Sequence, residues 1–248
     1  KNKKNEKCPP WVLQSKKIKH DLAKKTIYYD NVVLKIYDFP VFFAPKFSHP
    51  DPTVKRRSGL LAPSFRNNSA LGSGVSIPYF WNMSKDKDLT FEPNLYANEN
   101  PHFLAVYRQD FKKSFLTIDA GYTEGYKRTN LKKTKGSRVH FFSNFNMSLV
   151  NEEQKKSNVE INLQKVSNDT YLQVYDVDTT LANKDTSILE NTIDLTYQNK
   201  DFYFGLTPSI FEDTTKKGHL RHEYLLPLTL EKNVMSSEKY GYGDLNSE

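Results

Sequence analysis

The chain has 248 residues, a formal charge of +7, 13% aromatic residues and a mean hydropathy of −0.70. No run approaches the ~18 consecutive apolar residues of a membrane-crossing helix, which excludes helical spans but not a β-barrel, whose strands need only ~9–11 residues with every second one apolar. The basic excess favours an anionic partner, but the aromatics follow strand periodicity instead of gathering among the basic residues, so a phosphorylated lipid fits as well as nucleic acid.

Much of the Lys excess lies in the first 25 residues. The single cysteine, Cys8, cannot form a disulfide within the chain; as a thiol it is incidental, or half of a bridge to a partner elsewhere. Lys1 is not a methionine and opens no targeting segment, and the end follows the polar run Gly241-Tyr242-Gly243-Asp244. These features predict an internal fragment, cut at both ends.

Helical periodicity is almost absent. From Trp11 to Pro45 several short strands are expected: Trp11 to Leu13, Lys17 to His20, Thr26 to Tyr29, Val32 to Tyr37 and Val41 to Phe43. Val32, Leu34 and Ile36 share one face of the fourth, as the edge of an apolar interior. Ser48 to Arg57 reads as a linker, because Pro50 and Pro52 lack N–H donors and cannot pair regularly.

The basic run Lys55-Arg56-Arg57 follows, and beyond it the strands lengthen. His102 to Phe111 sets Phe103, Ala105 and Tyr107 against His102, Arg108 and Asp110. Ser114 to Tyr122 and Arg138 to Val150 alternate in the same way. So do the segments around Val159/Ile161/Leu163, Ile193/Leu195/Tyr197, Phe202/Phe204/Leu206 and Tyr224/Leu226/Leu228/Leu230. Tight connections at Lys112-Lys113 and Asn199 to Asp201 alternate with long polar ones, Gly125 to Gly136 and Val177 to Ser187. A membrane barrel shows that alternation of turn lengths, and a soluble β-sandwich shows the same periodicity, so both stay open at this point.

The stretch from Phe39 to Tyr96 separates them. It reads Phe39-Pro40-Val41-Phe42-Phe43-Ala44-Pro45, then Lys55-Arg56-Arg57-Ser58-Gly59-Leu60-Leu61-Ala62-Pro63. It continues Ile77-Pro78-Tyr79-Phe80-Trp81-Asn82 and Leu89-Thr90-Phe91-Glu92-Pro93-Asn94-Leu95-Tyr96. In order and spacing this resembles the LptD (organic solvent tolerance protein) family, with conservative departures such as Leu60 where the family has Phe. The resemblance implies an all-β chain: residues 1–54 as the end of a periplasmic β-jelly roll, and residues 55–248 as the first strands, about ten, of a large antiparallel outer-membrane β-barrel.

It also implies a function without covalent chemistry. Lipopolysaccharide would pass through the jelly roll and the barrel into the outer leaflet of the outer membrane. The implied partners are the periplasmic bridge protein LptA and the plug lipoprotein LptE, with no nucleic acid and no cofactor. Val32, Leu34 and Ile36 would touch lipid. Pro63 on the first barrel strand and Pro78 on the second would weaken a lateral gate, since proline gives no N–H to a neighbouring strand. Cys8 would bridge to a cysteine outside the chain. Tyr79, Phe80 and Trp81 would sit at a membrane interface, with the basic run before strand one as its anchor.

Other signals are weaker. His219 and His222 stand at helical spacing but lack further ligands for a metal site. Asp176, Asp178 and Asp185 follow no calcium-loop pattern. The alternatives to the family reading are another outer-membrane barrel channel and a soluble β-sandwich binding protein.

Overall fold

The computed structural model describes residues 11–36, 39–54, 56–125, 135–237 and 241–247. Cys8 lies outside these residues. The described chain is almost entirely β-strand, and it forms two compact units that divide at Leu60–Leu61.

In the first unit, three long strands form an antiparallel sheet: β1 (Trp11–Asp21), β2 (Thr26–Ile36) and β3 (Phe39–Pro50). The short strands expected from the sequence are joined. Gln14, Ser15 and Asp30 continue the pairing, while the ladders on both sides pass over Asn31, which takes a positive φ of 52°. The expected linker is corrected too, because β3 runs through His49 to Pro50, which faces Thr26. The third strand lies at a sheet edge, where a proline nitrogen can face outward without costing a ladder bond. A two-residue strand, β4 (Gly59–Leu60), ends this unit. The Arg57 guanidinium donates to the Lys24 carbonyl at 3.0 Å and to the Thr26 hydroxyl, so this member of the basic run fastens the β1–β2 turn.

In the second unit β5 (Ser64–Asn68) pairs with β6 (Gly72–Ser76), and β6 and β7 (Tyr79–Asn82) lie one after the other along β8 (Lys87–Tyr96). From β8 the strands β9 (His102–Asp110), β10 (Ser114–Gly125), β11 (Lys135–Glu152), β12 (Lys155–Val166) and β13 (Ile188–Asn199) follow as antiparallel neighbours. Beyond β13 come β14 (Phe202–Leu206) with β17 (Leu228–Ser237) and β18 (Gly241–Ser247), and beside them β15 (Ser209–Asp213) with β16 (His222–Leu225). The continuous run expected from Tyr224 to Leu230 is broken at Leu226-Pro227. Pro227 cannot donate, although its carbonyl still accepts from Thr207 N at 3.1 Å. Among the described residues the sheet stays open, with β5 at one end and β18 at the other.

Register turns the alternation of the sequence into two faces. One cross-strand row reads Asp88, Arg108, Thr117, Asn144, Asn162 and Thr192. The row beside it, on the opposite face, reads Gln109, Leu116, Phe145, Ile161 and Ile193. Two rows further along that face stand Phe91, Ala105, Ala120 and Phe141. From β8 to β13 one face is therefore polar and the other apolar, and many apolar side chains on the second are half exposed, including Phe91, Tyr122, Phe141, Leu163 and Ile193.

Candidate functional site

The link between β12 and β13, residues 167–187, folds onto the polar face. It carries a single helical turn, α1 (Tyr171–Val174), and two of its tyrosines and two aliphatic residues become the centre of the unit's only described core cluster. Tyr171, Leu172, Tyr175 and Val177 are each at most 3% exposed, packed with Phe142, Val166, Leu189 and the turn residue Leu71. An apolar segment covering the polar side of a sheet needs polar partners for what it buries, and Tyr171 supplies one. Its hydroxyl lies 2.7 Å from His102 Nε2 and 3.1 Å from His140 Nδ1.

The other His140 nitrogen, Nε2, faces Asp119 Oδ1 at 3.1 Å, so that nitrogen carries the proton in the neutral ring and Nδ1 accepts. Tyr171 then donates to His140 and accepts from His102, in a directed chain of four buried side chains. Burial pushes the Tyr171 phenol far above its ordinary range, which keeps that proton in place. Gly121 opposite His140 makes the space, as a Cβ there would stand 2.5 Å from both the Tyr171 hydroxyl and His140 Cε1. Among the described residues, His102 Nδ1, the second Asp119 oxygen, the Thr123 hydroxyl and the Asn94 amide are buried without a protein partner.

The segment is fastened at both flanks. Near β12, Arg221, in a 3-10 turn (Gly218–Arg221), donates to Asp169 at 2.7 Å and to Glu212 at 2.6 and 2.8 Å; Glu212 also accepts from Lys165 at 2.7 Å. At the far flank it reaches the end strand. Asn68 Nδ2 donates to the Val174 carbonyl at 2.9 Å, and Arg66 to the Asp176 carbonyl at 3.3 Å and to Glu92 at 3.0 Å. Lys184 pairs with Asp176 at 3.2 Å. The acid group Asp176, Asp178 and Asp185 thus stands beside Arg66 and Lys184 around a cavity of about 290 Å³.

Pro63 and Pro78 lie in breaks of the strands, not within them: Pro63 just before β5 and Pro78 between β6 and β7. Ile77 N donates to the Pro93 carbonyl and Ala97 N to the Ser73 carbonyl, at 3.2 and 3.1 Å, so odd positions from Gly72 to Pro78 bond toward β8 and even ones toward β5. The Pro78 nitrogen therefore turns to the β5 side, where its carbonyl accepts from Leu61 N at 2.8 Å. The Pro93 nitrogen turns to β6. Pro63 precedes the first residue of the β5 ladder, where Ser64 faces Ser76. Two successive strand boundaries, at Pro78 and Pro93, each lack one donor.

In the first unit Val32 is buried, at 1% exposure, and Leu34 is partly buried in register with Leu13 and Phe42. Ile36 follows them along β2, and its side chain lies outside the described residues. Sequence reasoning missed the folded segment 167–187. Its signal was the apolar set Tyr171, Leu172, Val174, Tyr175 and Val177 inside a connection otherwise rich in Asn, Asp and Thr.

No family model matches the chain. Among curated proteins, the LPS-assembly protein LptD of Legionella pneumophila is 28% identical over 210 residues, which cover 79% of this chain and 25% of the relative. That of Shewanella denitrificans is 28% identical over 211 residues, 78% of this chain and 26% of the relative. In the LptD of Shewanella oneidensis the identity is 39% over 95 residues, 37% of this chain. The chain is similar to LptD proteins over most of its length. It spans about a quarter of the length of the longest-matching LptD relatives. The resemblance seen in Phe39 to Tyr96 thus extends, at lower identity, over most of the chain.

Proposed function

We propose that this chain takes part in lipopolysaccharide assembly at the bacterial outer membrane, its second unit as strands of a membrane β-barrel and its first as the end of a periplasmic β-jelly roll. The observation that carries the reading is the division of the sheet from β8 to β13 into an apolar and a polar face, in a chain that matches LPS-assembly proteins over most of its length. A soluble sandwich would cover its apolar face with a second sheet. A barrel wall turns that face to lipid and the polar face to a wet interior.

The role is transport, without bond making. Lipopolysaccharide carries a charged sugar head that cannot pass a closed, fully hydrogen-bonded wall, so the wall must part at a seam. The prolines Pro63 and Pro78 support placing the seam beside β5, because each withholds a donor there or next to it. Val32, Leu34 and Ile36 are the proposed lipid contacts of the jelly roll, and Cys8 the proposed half of a bridge. LptA as donor and LptE as plug complete the assembly.

The test is photo-crosslinking from position 34 in the full-length protein in living cells. Adducts with lipopolysaccharide are expected from position 34, and none from Lys35 on the opposite side of the strand. Equal adducts at both positions, or none at either, overturn the lipid-contact role.

A further inference from the structure

We propose that residues 167–187 form a strap that latches the end strand β5 to the polar face, and that this strand is released from the sheet only when the strap lifts. The inference rests on the seam reading above for its consequence, but the latch itself stands on geometry within the second unit.

The strap starts at β12, beside the ion group of Asp169, Arg221 and Glu212, and lies against β9, β10 and β11 through Tyr171. It ends its reach on β5, which has a strand on one side only. Such a strand is held by half the usual ladder, so each added tie weighs more than it would in mid-sheet. The ties are three: Asn68 to the Val174 carbonyl, Arg66 to the Asp176 carbonyl, and Leu71 of the β5–β6 turn buried in the strap's own cluster. Both polar ties run from strand side chains to strap carbonyls, at positions set by α1 and by the left-handed Asp176, whose φ is 49°. They therefore form only when the strap is docked.

Docking is not without cost. The Asn94 amide, His102 Nδ1, one Asp119 oxygen and the Thr123 hydroxyl lie buried on that face without protein partners among the described residues. Lifting the strap returns them to water, which offsets part of the apolar surface lost from Tyr171 and Leu172. A cover built this way is poised between two positions, with the strand following it.

The experiment compares amide hydrogen exchange in the purified full-length protein carrying Tyr171→Ala, Asn68→Ala or Gln173→Ala. Gln173 is exposed on the same helical turn and serves as the control. Exchange at residues 64–68 should become roughly tenfold faster or more in the first two variants, with 114–120 unchanged and Gln173→Ala like the parent. Unchanged exchange at 64–68 in both variants overturns the latch, whatever the protein transports. In a second arm, cysteines at 68 and 174 are joined by a short reducible bis-thiol linker in cells. Lipopolysaccharide delivery should fall when the pair is linked and recover on reduction. Faster exchange with delivery unaffected by linking leaves a strap that does not govern the seam and overturns that half of the proposal. A parent protein that delivers no lipopolysaccharide refutes the transport reading and leaves the exchange result standing.

Discussion

Gly121 and Tyr171 share one space: a Cβ on the glycine would stand 2.5 Å from the tyrosine hydroxyl, and the His140 ring closes the other side. Neither neighbour is the free end of a flexible chain. Gly121→Ala should therefore push Tyr171 off the sheet, at a cost of about 1–3 kcal/mol. Limited proteolysis should show new cleavage within 167–187. An alanine variant as resistant as the parent would mean that Tyr171 is not seated there.

Tyr171→Phe keeps the ring and removes the only atom that joins His102 to His140. Two buried nitrogens lose their partner, which should cost about 1–3 kcal/mol in a denaturant titration. Combined with His140→Phe the loss should be less than additive, since the second change also removes one of the stranded groups. Strict additivity would argue against the directed chain.

Glu212 is 4% exposed and accepts from both Arg221 and Lys165, yet Lys165 is 66% exposed. Solvent screens the lysine pair, and the arginine fork supplies most of the tie. Glu212→Gln should lower stability by on the order of 1–2 kcal/mol, and Lys165→Ala by much less. Arg221→Lys should behave like a loss, because one ammonium cannot serve Asp169 and Glu212 in the same geometry. Thermal melts of the three variants decide the ranking.

Adjacent residues of β11 test the sidedness of the wall. Phe145 pairs with Leu116 and Ile161 on the apolar face, and Asn146 points the other way. Phe145→Arg should cost about 2–4 kcal/mol when the protein folds into a bilayer, and Asn146→Arg little. Equal costs would contradict a lipid-facing surface.

Thr53 N donates to the Asp51 carboxylate at 2.8 Å, the Thr53 hydroxyl adds to it, and His20 lies in contact. These partners hold the carboxyl below the ordinary aspartate range. The sign follows from a depressed folded value: the contribution is complete above about pH 4, the unfolded value, and disappears as pH falls through the lower folded one. Asp51→Asn should flatten that acid limb, and a side-chain NMR titration at or above about 4 would refute it.

Much of the wall was legible in the chain. Period-2 alternation from His102 to Val150 predicted the faces that the register displays, because in a two-faced sheet every second residue answers to a different solvent. Strand ends were less legible. Pro50 reads as a breaker, but an edge position removes its penalty, and position in a sheet is not local information. The strap was hidden for a similar reason. Tyr171 and Leu172 have four-residue helical company, and what makes them a core is the distant set of Leu71, Phe142 and Leu189. Alternation alone marks His102 and His140 as polar-side residues, and only Tyr171 between them joins the two.

Pro78 and Pro93 leave a donor missing at two consecutive boundaries, along one diagonal of the wall. A sheet bends most easily where its cross-links are fewest, so that diagonal is a crease. Everything on its outer side can swing as a leaf, while the strands β9 to β13 contain no proline. The motion that frees the end of this sheet then resembles turning a page more than unzipping a row of bonds.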